Sequence, residues 1–371
     1  MRERVHVNRT MKDLVADLRL MKYIELFAGI GGFRRASEML SRDFSVPLKC
    51  VAFSEIDPHA IKTYKANYDI SEEAEMNDII SFADKDSNIN SLQDFNILMG
   101  GFPCQAFSMM GKQLGFEDER GSILFSIKNI LRIKKPEFIV LENVRHLEKH
   151  NGGETLKAIL SFFRRRGYKF VETVVLDTKD FGLPQRRSRI FIVCSRKELD
   201  IELSSEKIIE NFMMIKKHSL CMYNSVLNIL EKQVDKKYYL SEKIKHTILA
   251  DGSKNFKSKS QIDLDIARTL TATMVKMHRA CQDNYYSDDY IQNGICHKDT
   301  AKEILYKKPV RKLTPMEALM LQGFDRDFFE KAKTAEVSDH QLYKQAGNGL
   351  SINTVYALLH YLFVKHKIQE S

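Results

Sequence analysis

Cys104 follows a proline in Gly100-Gly-Phe-Pro-Cys-Gln-Ala-Phe-Ser108, directly beyond the apolar run Phe95 to Met99. Most cysteines are small buried hydrophobes. A thiol in a glycine-flanked turn at the carboxyl end of a strand is placed differently, because open α/β sheets bind their ligands along that edge. Positive charge nearby would lower its pKa and make it a thiolate nucleophile. Glu142 closes a second apolar run, Phe138-Ile-Val-Leu-Glu-Asn-Val144. A carboxylate there is costly unless it is paired, protonated or functional. In Pro184-Gln-Arg-Arg-Ser-Arg-Ile190 the alternation of an extended chain puts Arg187 and Arg189 on one face. Two guanidiniums on one face suit a carboxylate or a phosphate, although ordinary strand-edge charge accounts for them equally well.

A fourth run, Phe27-Ala-Gly-Ile-Gly-Gly-Phe33, lies between a strand pattern and a helix pattern. Gly29, Gly31 and Gly32 allow a tight turn and close approach of a ligand to the backbone, and the helix start offers free N–H groups. The third glycine of a dinucleotide GxGxxG is missing, since Phe33 and Arg34 follow. Glu55 ends the next strand 23 residues past Gly32, where an acidic side chain can take ribose hydroxyls. Glycine turn and acid together point to a nucleoside-bearing cofactor. Asp78, in Asn77-Asp78-Ile79, is a candidate for an adenine amino group and equally for a helix cap.

Such side chains need a frame that brings several strand ends together. The spacing predicts strands over Tyr23–Phe27, Lys49–Ser54, Phe95–Met99, Phe138–Leu141, Val171–Leu176 and Arg189–Cys194. Helices are expected over Phe33–Leu40, Pro58–Tyr68, Ser122–Ile133 and Thr155–Arg166, with proline well placed in the first turn of the second. Strands alternating with helices imply an α/β domain with a doubly wound, mostly parallel sheet. From Ser195 to Lys312 the rhythm breaks, and 22 Lys and Arg face 16 Asp and Glu, so this segment holds +6 of the chain's +9. It reads either as a solvated loop-rich module or as a second, smaller, irregular domain facing a polyanion. Helical periodicity returns after Pro315 and gives a terminal helix over Ser351–Lys365.

The remaining composition narrows the class. No run approaches the roughly 18 to 20 uninterrupted apolar residues of a membrane span. Residues 1–22 lack the apolar core of a secretory signal, so a cytoplasmic location is expected. The six cysteines form no CxxC pair, and Cys296 with His297 has no further partner at ligand spacing. Reduced thiols and no metal are therefore expected.

Five ordered motifs carry a resemblance: Phe27-Ala-Gly-Ile-Gly-Gly-Phe33, Gly101-Phe-Pro-Cys-Gln105, Glu142-Asn-Val144, Gln185-Arg-Arg-Ser-Arg189 and Gln345-Ala-Gly-Asn348. Their order and spacing resemble the cytosine-5 DNA methyltransferases, especially short bacterial modification enzymes, over about residues 22–194 and 309–366. The resemblance implies the Rossmann-like fold of S-adenosylmethionine-dependent methyltransferases, with S-adenosylhomocysteine as product. It divides the chain into a catalytic and cofactor domain (1–194), a target-recognition domain (195–312) and a returning C-terminal part (313–371). Cys104 would attack C6 of cytosine, Glu142 would hold and protonate N3, Arg189 would contact the O2 side, and Arg187 would support Cys104 and Glu142. Phe27 would pack on adenine beside Gly29, Gly31 and Gly32, with Glu55 on the ribose, Asp78 on the adenine and Asn348 near the methionine end. Gln105 to Ser122, with Gln105 and Ser108 as DNA contacts, would be the loop that closes over DNA. Thr269, Thr271 and Thr273 resemble a backbone-contacting stretch, and a plain Thr-rich strand is the equal alternative.

Two positions depart from the family: Gly349 stands where many members carry Ser, and Met110 where a small polar residue is common. Met1 to Met21 has no counterpart. The implied partners are double-stranded DNA and a restriction endonuclease of the same site, without a stable complex. A monomer in a prokaryotic cytoplasm, associated with the nucleoid, is expected. Two rivals are a tRNA cytosine-5 methyltransferase and a catalytically silent DNA-binding homologue. Phe102-Pro-Cys-Gln105 in place of Pro-Pro-Cys-Gln, with no Cys-Phe-Thr, favours DNA. The presence of both Cys104 and Glu142 disfavours silence.

Overall fold

The computed structural model describes residues 19–102, 123–216, 218–252 and 258–370. Seven strands form the main sheet: β1 Met21–Leu26, β2 Leu48–Ser54, β3 Ala74–Glu75, β4 Ile97–Gly101, β5 Phe138–Val144, β6 Phe170–Asp177 and β7 Ser188–Ser195. Their order is β3-β2-β1-β4-β5-β7-β6. All neighbours are parallel except β7, which runs antiparallel to both β5 and β6. The order reverses between β1 and β4, which opens a crevice at their carboxyl ends.

The apolar runs are continuous because both faces of the sheet are covered. Successive residues of each strand feed opposite cores. Tyr23, Ile97, Met99, Phe138, Val140, Phe191 and Val193 belong to one core. Ile24, Leu98, Ile139, Leu141, Ile190 and Ile192 belong to the other. The first core is covered by the helices Gly32–Phe44 and Ile352–Leu359, which pack along each other. The latter is buried on every side and continues as a π-helical turn, His360–Lys365. The C-terminal helix Ile352–Leu359 thus packs onto the helix after β1.

Strand ends differ from the sequence reading in two informative places. Phe27 was expected in the first strand but stands outside it with φ +56°, turning the chain into the glycine run. Glu142 was expected to end its strand but lies within β5, opposite Phe191, because pairing with β7 carries the strand on to Val144.

The segment after β7 is irregular. Its first helix, Ser205–Met213, buries Ile208 and Phe212 in the first core. A small separate core forms farther on from Leu240, Ile248, Leu249, Ile262, Ala280, Tyr285, Leu305 and Val310. It is closed by a two-stranded antiparallel ribbon, β8 Tyr285–Ser287 with β9 Val310–Lys312. No helix among the described residues is long and apolar enough to cross a membrane.

Candidate active site

The carboxyl ends of β1, β2, β4 and β5 face a cavity of about 670 Å³. Phe27, Gly29, Gly32, Glu55, Glu142, Arg187, Arg189, Thr269, Thr271 and Asn348 all line it, so most of the residues singled out in the sequence converge on one space. Gly31, Asp78 and Thr273 are not on its wall. Cys104, Gln105, Ser108 and Met110 lie outside the described residues.

At one end stands the glycine turn. Gly29 has φ +58°, and a β-carbon there would meet nothing within 4 Å, so the backbone is bare towards the cavity. Gly31 is held by a different constraint: its φ is +82° and the Tyr68 ring occupies the space of a side chain. Glu55 fastens the turn to the next helix. Its Oε2 accepts the Gly29 N–H at 2.8 Å, and its Oε1 accepts the N–H groups of Ile56 and Asp57 at 2.8 and 2.9 Å. Asp78 caps the helix Ile79–Ala83 by accepting from Ile80 N at 3.0 Å and Ser81 Oγ at 2.7 Å. The cap of the two readings is present, and the Ser81 bond holds the carboxyl below its usual pKa.

At the other end, Glu142 and Arg189 form an ion pair, Nε to Oε1 at 2.9 Å. Burial pushes the Glu142 carboxyl above the usual range, against the pull of Arg189 and Arg187. The apolar strand accounts for that direction. Asn143, beside it, donates from Nδ2 to the Phe102 carbonyl at 2.9 Å, which fixes the backbone two residues before Cys104. Arg186, between its two buried neighbours, is exposed.

Arg187 uses its donors differently from the expected support of Glu142. Nη1 donates to Leu270 O at 3.0 Å, and Nη2 donates to Gly347 O at 3.1 Å and Gly349 O at 2.7 Å. Burial and the neighbouring Arg189 pull its pKa down to about 9, still above neutrality. Its tie to Glu142 is electrostatic only.

Several residues of the site escaped the sequence reading. Ile56 is 72% exposed on the cavity wall beside Glu55, and a large bare aliphatic next to the acid was its only local signal. Glu25 sits beneath the glycine turn, 1% exposed, with Oε1 accepting the Phe33 N–H at 3.1 Å and Oε2 without a partner. Burial pushes its carboxyl up to about 8, although Arg34 lies close enough to oppose the shift. Arg34 itself is paired with Glu73 and with Glu38. Lys344 reaches Asp57 at 2.7 Å, and Gln345 bonds both Thr63 and the His59 carbonyl, tying the last motif to the helix after β2.

A nucleotide-sized crevice at the switch point of a mostly parallel sheet, with a glycine turn and acid at one end and a buried acid at the other, defines an α/β group-transfer enzyme. Residues 21–363 match the family model described as C-5 cytosine-specific DNA methylase. The chain is 37% identical over 339 residues to the Type II methyltransferase M1.ScrFI of Lactococcus lactis subsp. cremoris, covering 91% of this chain and 76% of that protein. It is 34% identical over 342 residues to the Type II methyltransferase M.NlaX of Neisseria lactamica, covering 91% and 95%. The fold also matches the Entamoeba histolytica methyltransferase EhMeth, with a TM-score of 0.70 at 23% identity, over 94% of this chain and 99% of that one.

The chain belongs to the C-5 cytosine-specific DNA methylase family. It is a DNA (cytosine-5-)-methyltransferase, and family membership implies S-adenosylmethionine as methyl donor and DNA as substrate.

Proposed function

We propose that the enzyme methylates C5 of a flipped-out cytosine within a specific short sequence of duplex DNA, through a covalent bond between Cys104 and C6. One observation carries this reading: the buried Glu142–Arg189 pair and the glycine turn with Glu55 face the same cavity. An acid for the base and a cradle for a nucleoside cofactor thereby meet in one space.

The residues present fit S-adenosylmethionine. The bare backbone at Gly29 admits close approach, Phe27 and Ile56 offer apolar surface to adenine, and Glu55 stands at the ribose. Asn348 completes the set at the methionine end, while Asp78, a helix cap off the cavity wall, would reach adenine only from beyond it. When bound, this group supplies an electrophilic methyl on a sulfonium. The chain's own residues must make the cytosine a nucleophile. The Cys104 thiolate adds to C6, and Glu142 gives a proton to N3, so that the ring becomes an enamine with electron density at C5. Arg189 holds the Glu142 carboxyl in place and faces the O2 side of the ring. After transfer a water removes the C5 proton, the C6–S bond breaks to return the thiolate, and N3 gives its proton back to Glu142. Flipping the base out costs a few kcal/mol. Phosphate contacts from Thr269, Thr271, Thr273 and the basic segment, with Gln105 and Ser108 from the loop after Cys104, offset that cost.

The division into 1–194, 195–312 and 313–371 is part of the same reading. The separate core between Leu240 and Val310 supports an independent recognition module. The burial of Ile208 and Phe212 in the first core supports counting the helix Ser205–Met213 with the catalytic half. The enzyme acts as a monomer in a bacterial cytoplasm, at the nucleoid, and protects the site cut by a restriction endonuclease with which it forms no stable complex.

Unmethylated plasmid incubated with the protein and S-adenosylmethionine, then bisulfite-sequenced, tests this. Protected cytosines in one short context, absent with Cys104→Ala, are expected. Absence of protection with the wild type, or protection that survives the substitution, would overturn it.

A further inference from the structure

Three segments far apart in the chain meet at one guanidinium. Leu270 belongs to the Thr269–Thr273 stretch, while Gly347 and Gly349 flank Asn348 in the turn that faces the glycine run. Arg187 is 3% exposed and places three hydrogen bonds on their carbonyls. Gln185, two residues earlier on the same face, accepts the Leu270 N–H at 3.1 Å and donates to Leu321 O at 2.9 Å. Both polar groups of Leu270 are therefore held from one strand entrance. Leaving buried carbonyls unpaired is costly, so these bonds define where both segments can sit.

The two held segments also touch. The Thr269–Thr273 stretch forms a turn rather than the Thr-rich strand, and a β-carbon on Gly347 would collide with the peptide joining Thr271 to Ala272, so helix and turn meet backbone to backbone. On the opposite side Leu350 packs on the glycine run, and a β-carbon on Gly32 would lie 2.7 Å from that of Leu350. The chain of contact runs from Gly32 through Leu350 and the Gly347–Gly349 turn to Thr271.

We propose that Arg187 is a positioning residue that couples the two halves of the site, so that filling the cofactor cradle raises the affinity for DNA and DNA raises the affinity for the cofactor. The inference rests on the reading above, in which Asn348 faces the cofactor and Thr269–Thr273 faces DNA. A ligand that settles the turn settles Leu270 through the shared guanidinium, and the second ligand meets a segment already in place. Such coupling is reciprocal in binding free energy.

The full chain is titrated calorimetrically with S-adenosylhomocysteine, alone and with a duplex carrying the sequence found by bisulfite sequencing. The ratio of the two dissociation constants is the readout. In the wild type a ratio of about 5 or more is expected, the lower end of ordinary couplings. Arg187→Lys, whose single nitrogen cannot stand at both guanidinium positions and so cannot hold Leu270 and the glycine turn together, should bring it below about 2, well under that range. A merely structural role would weaken both affinities and leave the ratio unchanged. That result in a folded Arg187→Lys protein, or a wild-type ratio of one, overturns the coupling. Should Arg187→Lys fail to fold, Leu350→Ala reads the same path from the cofactor side, and an unchanged ratio there also overturns it. A wild type that binds neither ligand overturns the function proposed above instead.

Discussion

The cofactor end and the recognition end of the cavity are built in opposite ways. Along the strand ends, from the glycine turn to Glu142, side chains reach back to hold the backbone: Glu55 takes the Gly29 N–H, Glu25 the Phe33 N–H, and Asn143 the Phe102 carbonyl. In the stretch from Thr269 to Thr273, side chains from a distant segment hold the backbone at Leu270, and the threonines at 271 and 273 stand exposed. Lys276, just beyond, is exposed as well. The first end suits a ligand that never changes, because the Glu55 and Glu25 carboxyls fix the backbone of its cradle. The second suits a ligand whose sequence differs between relatives, because an anchored backbone carries outward side chains that can be exchanged without disturbing the fold.

Substitutions at each end should therefore fail in different ways, and the largest effect belongs to the buried acid. Glu142→Gln should lower kcat by about 10²- to 10⁴-fold, the ordinary contribution of a general acid. Its affinity for S-adenosylhomocysteine should stay within about twofold if the far end carries none of the cofactor cradle. Equal losses in both would erase the distinction between the ends. Because Glu142 must be protonated to act and its pKa is raised, wild-type activity should fall as pH rises through that raised pKa. A pH profile of kcat with no descending limb above the usual carboxylate range would count against the assignment.

Next in size is Glu25→Gln. The folded carboxyl titrates near 8 against an ordinary 4.5, so the folded state keeps a proton that the unfolded chain has released. Wild-type stability must then decline as pH rises between those values. Gln keeps the acceptor for Phe33 N–H without the charge. Urea unfolding should show the variant more stable by a few kcal/mol at pH near 8.5, with the difference gone by about pH 4. A variant less stable than the wild type at pH 8.5 would show that the cradle needs the charge.

Asn143→Ala should cost about 1 kcal/mol of stability by removing its bond to the Phe102 carbonyl, read in the same unfolding assay. The smallest effect is expected at the other end. Lys276→Ala should leave stability within about 0.5 kcal/mol. In fluorescence titrations it should flatten the slope of log affinity for DNA against log salt by about one, if Lys276 meets a phosphate. A loss of stability there comparable to that of Asn143→Ala would mean the recognition end is built like the cofactor end.

Much of this was legible from residue types alone. Short continuous apolar runs made Tyr23, Ile97, Phe138 and Phe191 strand residues of a covered sheet, and glycine, acid and arginine at fixed offsets announced the cavity's two ends. The errors fell where a distant partner intervened. Glu142 was expected at a strand end because nothing local shows β7 pairing onward to Val144. Arg187 was expected to support Glu142, since the carbonyls it holds lie 83, 160 and 162 positions away. Glu25 gave no signal, since a buried carboxylate in a strand looks locally like an alternating surface position.

The order of motifs, the parallel sheet and the identities of the acid and the arginines were determined by sequence alone, because local periodicity and side-chain chemistry depend on neighbours a few residues away. Tertiary structure decided how each group is employed. It turned Gly31 towards Tyr68 and left Gly29 bare, made Asp78 a cap, and gave the donors of Arg187 to three carbonyls from two other segments. Those assignments depend on which distant backbone atoms would otherwise be buried without a hydrogen bond, and that requirement arises only when the chain has closed on itself.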